Sequence, residues 1–141
     1  MTTTGLTTLD HSLATTHEWL EDLREEMSLD DHEQALAVMR AVLQTLRDRL
    51  TVEEAAEFAA QLPMLLQGVY YHGWTPAGKP QKIRTRDEFL TLIADRLMGN
   101  RPPEESARAV FKVLANRMTA GQINDLKSTL PDEIRQLWSE A

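Results

Sequence analysis

The sequence predicts an all-helical protein that folds as one domain. Apolar residues recur every three or four positions in almost every segment, and no run alternates with a period of two. Three Thr-x-x-Glu or Thr-x-x-Gln sequences, starting at Thr51, Thr85 and Thr119, have the spacing of helix capping boxes. The length of 141 residues, 42% of them hydrophobic, is that of one ordinary domain. We therefore expect a single helical domain over residues 1–141.

The first half of the chain contains four predicted helices. The first begins near Asp10 and ends near Met27, and Asp30 or Asp31 caps the second. The first capping box opens a third helix. Pro63 begins a short fourth helix, because proline suits a first helical turn. The predicted buried rows of the first three helices contain Leu13, Thr16, Trp19, Leu20, Leu23 and Met27, then Leu36, Met39, Leu43, Leu46 and Leu50, then Val52, Ala55, Ala59 and Leu62.

The second half begins with a crossover and continues with four more helices. The segment GWTPAGKPQKIR has two prolines, two glycines and no periodicity, which predicts a surface crossover over residues 73–85. Thr85 then opens a helix, Asn100 caps a long one, Thr119 opens the next and Pro131 begins a last short one. Their predicted buried rows contain Phe89, Ile93, Leu97, Ala107, Val110, Phe111, Leu114, Met118, Ile123, Leu126, Leu130, Ile134 and Trp138.

The second half of the chain repeats the first. A shift of 68 positions aligns the sequence RAV at 40–42 with RAV at 108–110, and nearer the start of the chain the shift becomes 70. The order helix, long helix, capping box, helix, Leu-Pro, short helix occurs twice. We therefore predict two tandem homologous helical repeats, at about 10–72 and 86–139, which share one core about a pseudo-two-fold axis.

Composition disfavours several classes of function. The chain has 22 acidic and 15 basic residues, a net charge of −7, which opposes a nucleic acid or an anionic membrane as the main partner. It has no cysteine, so it has no thiolate metal site and no cysteine nucleophile. There is no uncharged apolar run of about 18 residues and no leader pattern. We expect a cytoplasmic protein with no nucleic acid, membrane or known small molecule as its partner.

The stretch LPMLLQGVYY is unusually apolar for an acidic chain. In the repeat alignment, Met64 and Leu65 take the positions of Asp132 and Glu133, which have the carboxylates expected at an exposed helix start. Either the crossover or the first helix covers this stretch within the chain, or a second molecule does so, because large apolar patches usually mark contacts. The candidate interaction surface consists of Met64, Leu65, Tyr70, Tyr71 and Trp74.

The crossover also contains the main basic cluster of the chain. Residues 1–71 contain 13 acidic and 4 basic residues, whereas residues 72–141 contain 9 and 11. A solvated loop accounts for the cluster, and the alternative is a contact with an anion or an acidic partner, including the acidic half of a second molecule. The residues of this candidate contact are Lys79, Lys82, Arg84 and Arg86.

The sequence contains no recognisable catalytic or metal-binding pattern. The four histidines are scattered, and no Glu-x-x-His pair, EF-hand order, phosphate loop or nucleophile elbow is present. We predict no catalytic residue, no metal ligand and no cofactor. The alternative function is a small-molecule binding protein or an enzyme that uses a cavity between the two repeats. That cavity would lie near Tyr70, Tyr71, His72 and Trp74.

Six motifs resemble those of a known family: THEWL, RAVLQTLRDRL, LTVEEAAEFAAQLPMLLQGVYYHGW, RTRDEFL, ARAVFKVL and LPDEIRQLW. The family is the bacterial one catalogued as domain of unknown function 2267 (DUF2267), and the resemblance spans about residues 10–138. It implies a short, duplicated, all-helical protein and supplies no activity, cofactor or catalytic residue. The function expected is a non-catalytic protein-interaction or self-association module of the bacterial cytoplasm, whose partner is a second copy or an unidentified protein.

Overall fold

A computed structural model describes residues 4–138 and is all-helical over that range, as predicted. Residue 139, at which the second predicted repeat ends, lies outside the described residues. The helices are α1 (Thr7–Met27), α2 (His32–Arg49), α3 (Val52–Ala59), α4 (Met64–Tyr71), α5 (Arg86–Arg96), α6 (Pro103–Arg117), α7 (Ala120–Ser128) and α8 (Asp132–Arg135), followed by a 3-10 turn at Gln136–Trp138.

Side-chain caps begin four of these helices, and all four were predicted. At the start of α3, the hydroxyl of Thr51 accepts a hydrogen bond from the backbone N–H of Glu54 at 3.1 Å. The Glu54 carboxylate accepts the N–H of Thr51 in return, at 2.9 Å. Thr85 and Thr119 form equivalent capping boxes at α5 and α7. Asp31 caps α2 by accepting the N–H of Gln34. Each cap satisfies donors that the helix itself leaves unpaired.

The predicted cap of α6 is wrong. Helix α6 begins at Pro103 with Pro102 as its N-cap residue, and no side chain caps it. Pro103 has no backbone N–H, so one of the unsatisfied donors of a helix start is absent here. The hydroxyl of Ser106 donates to the carbonyl of Pro102 at 2.8 Å and closes the first turn. Two prolines therefore set this boundary, and Asn100 lies outside it.

Helices α2 and α6 lie in contact and form the centre of the molecule. Helix α1 packs against both of them, and α5 also packs against both. The short helix α4 lies against α1 and α2, and the C-terminal 3-10 turn lies against α6. The largest fully buried side chains come from most of these elements: Leu23, Met39, Leu43, Leu46, Leu50, Leu66, Tyr70, Phe89, Ile93, Phe111, Leu114 and Ile134.

Two residues of the predicted buried rows are exposed. Leu13 is 39% exposed and Val52 is 37% exposed. In α1 the neighbouring Ser12 is buried together with the predicted Thr16, so the buried face is rotated away from Leu13. Val52 is the first residue of α3, where only the following turns, from Ala55 onwards, reach the core. The 3.6-residue period identified these helices correctly but not the ends of their buried faces.

Ion pairs join the acidic first helix to α6. Nε of Arg117 lies 2.7 Å from Oδ2 of Asp22, and its Nη1 lies 3.5 Å from Oε1 of Glu18. Nζ of Lys112 lies 3.3 Å from Oε1 of Glu26. Part of the charge difference between the two halves is therefore neutralised within the chain. Among the described residues, no helix combines the length and the apolar character that crossing a membrane requires.

Candidate functional site

The predicted surface residues Met64 and Leu65 form the first turn of α4. Met64 is 50% exposed and Leu65 is half-buried. The backbone N–H of Leu65 donates to the hydroxyl of Ser12, at 3.2 Å, in the buried face of α1. This bond satisfies one of the free donors at the start of α4. Helix α1 therefore covers one side of α4 and leaves Met64 half in solvent.

The part of α1 next to this bond is itself apolar and partly exposed. Leu6 is 58% exposed, Leu13 is 39% exposed, and Leu9 is half-buried between them. Leu9 and Leu13 are four residues apart and share one face of α1, whereas Leu6 is the extended N-cap residue directly before the helix. Together with the start of α4 they form what we call the α1–α4 patch: Leu6, Leu9, Leu13, Met64 and Leu65.

Tyr70 is a core residue. Its side chain is fully buried, and its hydroxyl donates to the backbone carbonyl of Ala55 at 3.0 Å. Its ring lies 5.5 Å from that of Phe58. Burial raises the pKa of the Tyr70 hydroxyl well above its usual value, so the group stays a neutral donor. Tyr70 holds α4 against α3 from within and presents no surface to a partner.

Tyr71 and Trp74 continue this row of aromatic rings toward the surface. The ring of Tyr71 lies 5.2 Å from that of Tyr70 and 5.4 Å from that of Trp74. Both side chains are half-buried against the core. The chain turns back over them through Gly73, which has a φ of +76° that suits glycine. These ring contacts hold the beginning of the crossover against the helices.

The pocket nearest to these aromatic residues is an open depression within the first predicted repeat, whereas the predicted cavity lay between the two repeats. It has a volume of about 400 Å³ and is lined by Arg40, Leu65, Gly68, Val69 and His72. Of the four residues predicted for such a cavity, His72 lines this depression, whereas Tyr70 is fully buried behind it.

A buried ionic cluster, which the sequence did not indicate, ties the crossover to α2. Asp48 is 5% exposed and Arg47 is 3% exposed. The Asp48 carboxylate accepts hydrogen bonds from Arg47 at 2.9 Å and from Arg96 of α5 at 2.8 Å. Nζ of Lys79 lies 3.7 Å from the same carboxylate. We call these four residues the Asp48 cluster: Arg47, Asp48, Lys79 and Arg96.

The same cluster satisfies the free carbonyls at the end of α4. Nη1 of Arg47 donates to the carbonyls of Tyr70 and His72, at 2.8 and 3.0 Å. The backbone N–H of Gln81 donates to the carbonyl of Asp48 at 2.8 Å. Burial raises the pKa of Asp48, but the hydrogen bonds and charges of Arg47 and Arg96 outweigh it, so the pKa lies below its usual value. Asp48 is therefore ionised at neutral pH.

The four basic residues predicted as an anion or partner contact have different surroundings. Lys79 belongs to the Asp48 cluster, with a side chain that is 8% exposed. Arg86 donates to the side chain of Gln136 at 3.0 Å and lies 3.9 Å from the carboxylate of Glu104. Lys82 and Arg84 are exposed. Two of the four residues are thus engaged within the chain, and two remain on its surface.

A larger groove lies where the end of α1, the helix α6 and the C-terminal 3-10 turn meet. The ring of Trp138 stacks on that of Phe111, 4.1 Å away and nearly parallel, and forms one wall. The groove has a volume of about 650 Å³. We call it the C-terminal groove, and its lining residues are Glu26, Met27, Glu104, Glu105, Arg108, Ala109, Lys112, Ala115, Asn116, Leu137 and Trp138.

Two of the scattered histidines meet in the fold. The rings of His17 and His32 lie 4.2 Å apart, and Nε2 of His32 lies 2.7 Å from the carboxylate of Glu21. Hydrogen bonds from Arg24, and then His32, lower the pKa of Glu21 to about 2. Within residues 4–138, no group of three or more His, Cys, Asp or Glu side chains is arranged to hold a metal ion. This cluster is a surface ion-pair network.

Comparison with known proteins identifies the family of the chain. The model of a family described as an uncharacterised conserved protein (DUF2267) matches residues 16–137. No curated protein matches the chain.

Proposed function

Because this chain belongs to the DUF2267 family, whose description gives no activity, we propose a function from its surface: a non-catalytic self-association module. The α1–α4 patch is the contact surface, and a second copy of the chain is its partner. Two supporting residues, Tyr71 and Trp74, fix the end of α4. Tyr70 supports the patch from the core.

The observation that carries this proposal is the exposure of Met64 and Leu13 on two helices that are in contact, α4 and α1. Both are large apolar side chains, 50% and 39% exposed, on helices joined by the bond between Leu65 and Ser12. Leu6, directly before α1, is a third exposed apolar side chain. Contiguous exposed apolar surface on a protein commonly marks a contact with another protein. A symmetric contact between two copies would cover the patch on both.

The proposed architecture is a pair of tandem repeats about a pseudo-two-fold axis. In its support, α1 packs on α6 while α5, the equivalent of α1, packs on α2. Aligned positions are also buried alike, since Leu62 and Leu130 are each 4% exposed and Leu66 and Ile134 are each fully buried. The bacterial cytoplasm remains the proposed location, resting on the resemblance and the composition.

The alternative function, a small-molecule protein or enzyme, has weaker support. Its expected cavity near Tyr70 is an open depression, and the Tyr70 hydroxyl is already bonded to Ala55. His72 is exposed and lines that depression without a nearby carboxylate among its lining residues. A general acid or base normally has such a partner to set its pKa.

The self-association is tested by changing Met64→Asp and measuring mass by light scattering over a range of protein concentrations. The wild type should form dimers as the concentration rises, and the variant should remain monomeric because a carboxylate in an apolar contact is costly. Circular dichroism should show an unchanged fold, since Met64 is half-exposed.

The matched control is Met98→Asp, because Met98 is 84% exposed and lies at the end of α5, away from the patch. Its dimerisation should equal that of the wild type. A wild type that stays monomeric up to about 1 mM, the concentration that corresponds to very weak association, would reject the proposal. Equal loss of dimer in both variants would show that charge alone, and not the patch, controls association.

A further inference from the structure

The outer face of α4 continues the α1–α4 patch along the whole helix. Leu65 belongs to the patch and also lines the open depression beside it. Met64 lies four positions before Gly68, so these two residues share one side of the helix. The residues that line the depression are Arg40, Leu65, Gly68, Val69 and His72. The exposed side of α4 therefore runs from Met64 to His72, with Gly68 between them.

The fold of a single chain does not explain the glycine at position 68. Gly68 is the fifth of the eight residues of α4, and it is exposed. Its backbone is helical, so no positive φ requires a glycine. A Cβ atom added there would have no atom within 4 Å. Glycine destabilises a helix interior relative to alanine, because it loses more conformational freedom on folding. A glycine with no reason inside the chain indicates a close approach from outside it.

The α1–α4 patch alone is small for a stable contact. A standard interface buries about 800 Å² and about 20–30 residues on each partner. The patch contains only the start of α1 and the first turn of α4, so a dimer through it also covers neighbouring surface. Apolar surface continues from Leu65 along α4, where Val69 is half-buried and Gly68 has no side chain.

The distribution of charge favours a second copy as the occupant of this face. Two chains that each have a net charge of −7 repel one another, and like charges placed across an interface are costly. The contact with the least repulsion is therefore one without carboxylates. None of the residues that line the depression is acidic, and none of the patch is. Arg40, which is exposed, adds a positive charge to this face.

We propose that two copies pack α4 against α4, with the two-fold axis of the dimer beside Gly68. This inference rests on the proposed self-association and adds the helix that forms its centre. In a symmetric contact a residue on the axis faces its own copy, so one glycine removes the side chain from both helices at their crossing. Met64 and Leu65 on one side of the crossing, and Val69 on the other, then contact the second copy.

The spacing of such a crossing follows from helix geometry. The axes of packed helices lie about 8–10 Å apart, and the distance depends on the side chains at the contact. Glycine on both helices allows the short end of this range. Since Cα atoms lie about 2.3 Å from the helix axis, the two Gly68 Cα atoms would be roughly 4–5 Å apart.

The first test is Gly68→Gln, which places a long uncharged side chain at the crossing. Light scattering over a range of concentrations should show a dimer dissociation constant raised at least about tenfold. At a concentration where the wild type is monomeric, the midpoint of urea denaturation should equal or exceed that of the wild type, because glutamine is the better helix former. A lower midpoint would mean that Gly68 serves the monomer, and would overturn the proposal.

The matched control is Gly121→Gln. Gly121 is also a helical glycine, exposed and in the first turn of α7, and a Cβ there would meet only Oγ1 of Thr119, at 4.0 Å. Its dimerisation should equal that of the wild type. Equal loss of dimer in both glutamine variants would overturn the role of Gly68.

The second test reads the distance across the axis directly. The chain has no cysteine, so Gly68→Cys introduces a single thiol. Two cysteines form a disulfide when their Cα atoms lie about 4.4–6.8 Å apart, and mild oxidation should therefore link Gly68→Cys to its own copy. Gly121→Cys should stay unlinked under the same conditions. Absence of the link in Gly68→Cys, or equal linking of both variants, would overturn the proposal.

Comparison with Met64→Asp separates this inference from the proposed function. Loss of dimer in Met64→Asp together with normal dimerisation of Gly68→Gln would reject the α4 crossing and keep the patch. A wild type that stays monomeric up to about 1 mM would reject the self-association and the crossing with it.

Discussion

Asp48 shows why the burial and contacts of single residues were the hardest features to predict from the sequence. Its neighbours Leu46 and Leu50 belong to the predicted buried row of α2, and that row does not include the charged residues between them. The structure buries Asp48 because Arg96, 48 positions away in sequence, and the crossover close over it. Helical periodicity holds no information on such distant contacts. In the predicted repeat alignment Asn116 takes the position of Asp48, and this difference was the available signal.

Replacing Asp48 with Asn should destabilise the protein by about 3–5 kcal/mol, because Arg47 would remain buried without its counter-charge. The free energy of unfolding is measured by urea denaturation at pH 7. The matched control is Asp125→Asn, at an exposed position of α7, which should change stability by less than about 0.5 kcal/mol. A small effect at both positions would mean that the Asp48 cluster contributes no net stability.

The difference in stability between the wild type and Asp48→Asn should depend on pH, and the pKa of Asp48 gives the sign of that dependence. The pKa of Asp48 is lowered in the folded state, so the unfolded state binds more protons as the pH falls through the usual range of an aspartate. The stability that comes from its charge is therefore present above about pH 4 and is lost below it. The difference between the wild type and Asp48→Asn should shrink from pH 6 to pH 3. A constant difference would contradict the lowered pKa.

At the scale of elements, the sequence predicted helix starts better than buried faces. The three capping boxes were correct because a cap is local: the two residues that bond lie three positions apart. Leu13 and Val52 were placed wrongly because burial at a helix end depends on how far the neighbouring helices extend. In the middle of the long helices the prediction was confirmed, since Leu46 and Leu114 are fully buried.

Truncation of Leu46 or Leu114 to alanine should each cost about 2–5 kcal/mol, the range for a leucine that leaves a cavity in a packed core. Chemical denaturation measures this loss. Val52→Ala serves as the control, because Val52 is 37% exposed and its truncation should cost much less. Losses below about 0.5 kcal/mol at both leucines would show that the central helices do not pack as described.

At the scale of the whole molecule, the two halves depend on each other. Helix α1 packs on α6 of the second half, and α5 packs on α2 of the first. The ion pairs from Arg117 and Lys112 to α1 follow the same arrangement. The charge difference read from the sequence left open a solvated surface or a contact with another molecule, and part of the difference is used inside the chain. The sequence alone could not distinguish ion pairs within the chain from contacts with another molecule, because a count of charges does not say which of them lie close together.

Fragments 1–75 and 76–141 should therefore be largely unfolded when they are prepared separately, because each lacks one of the two central helices on which its own first helix packs. Circular dichroism should show low helicity for each fragment and a gain of helicity when the two are mixed in equal amounts. A fragment that is fully helical alone and melts sharply would refute this dependence.

The packing of α1 on α6 also has a consequence for synthesis in the cell. The last residue of α1 is Met27 and the first of α6 is Pro103, so the ribosome adds α6 long after α1 has been made. At about 5–20 residues per second this interval lasts roughly 4 to 15 seconds. During that time the apolar face of α1, including Trp19 and Leu23, has no α6 to cover it. We therefore expect the nascent chain, unlike the folded protein, to expose apolar helix surface of the kind that chaperones bind.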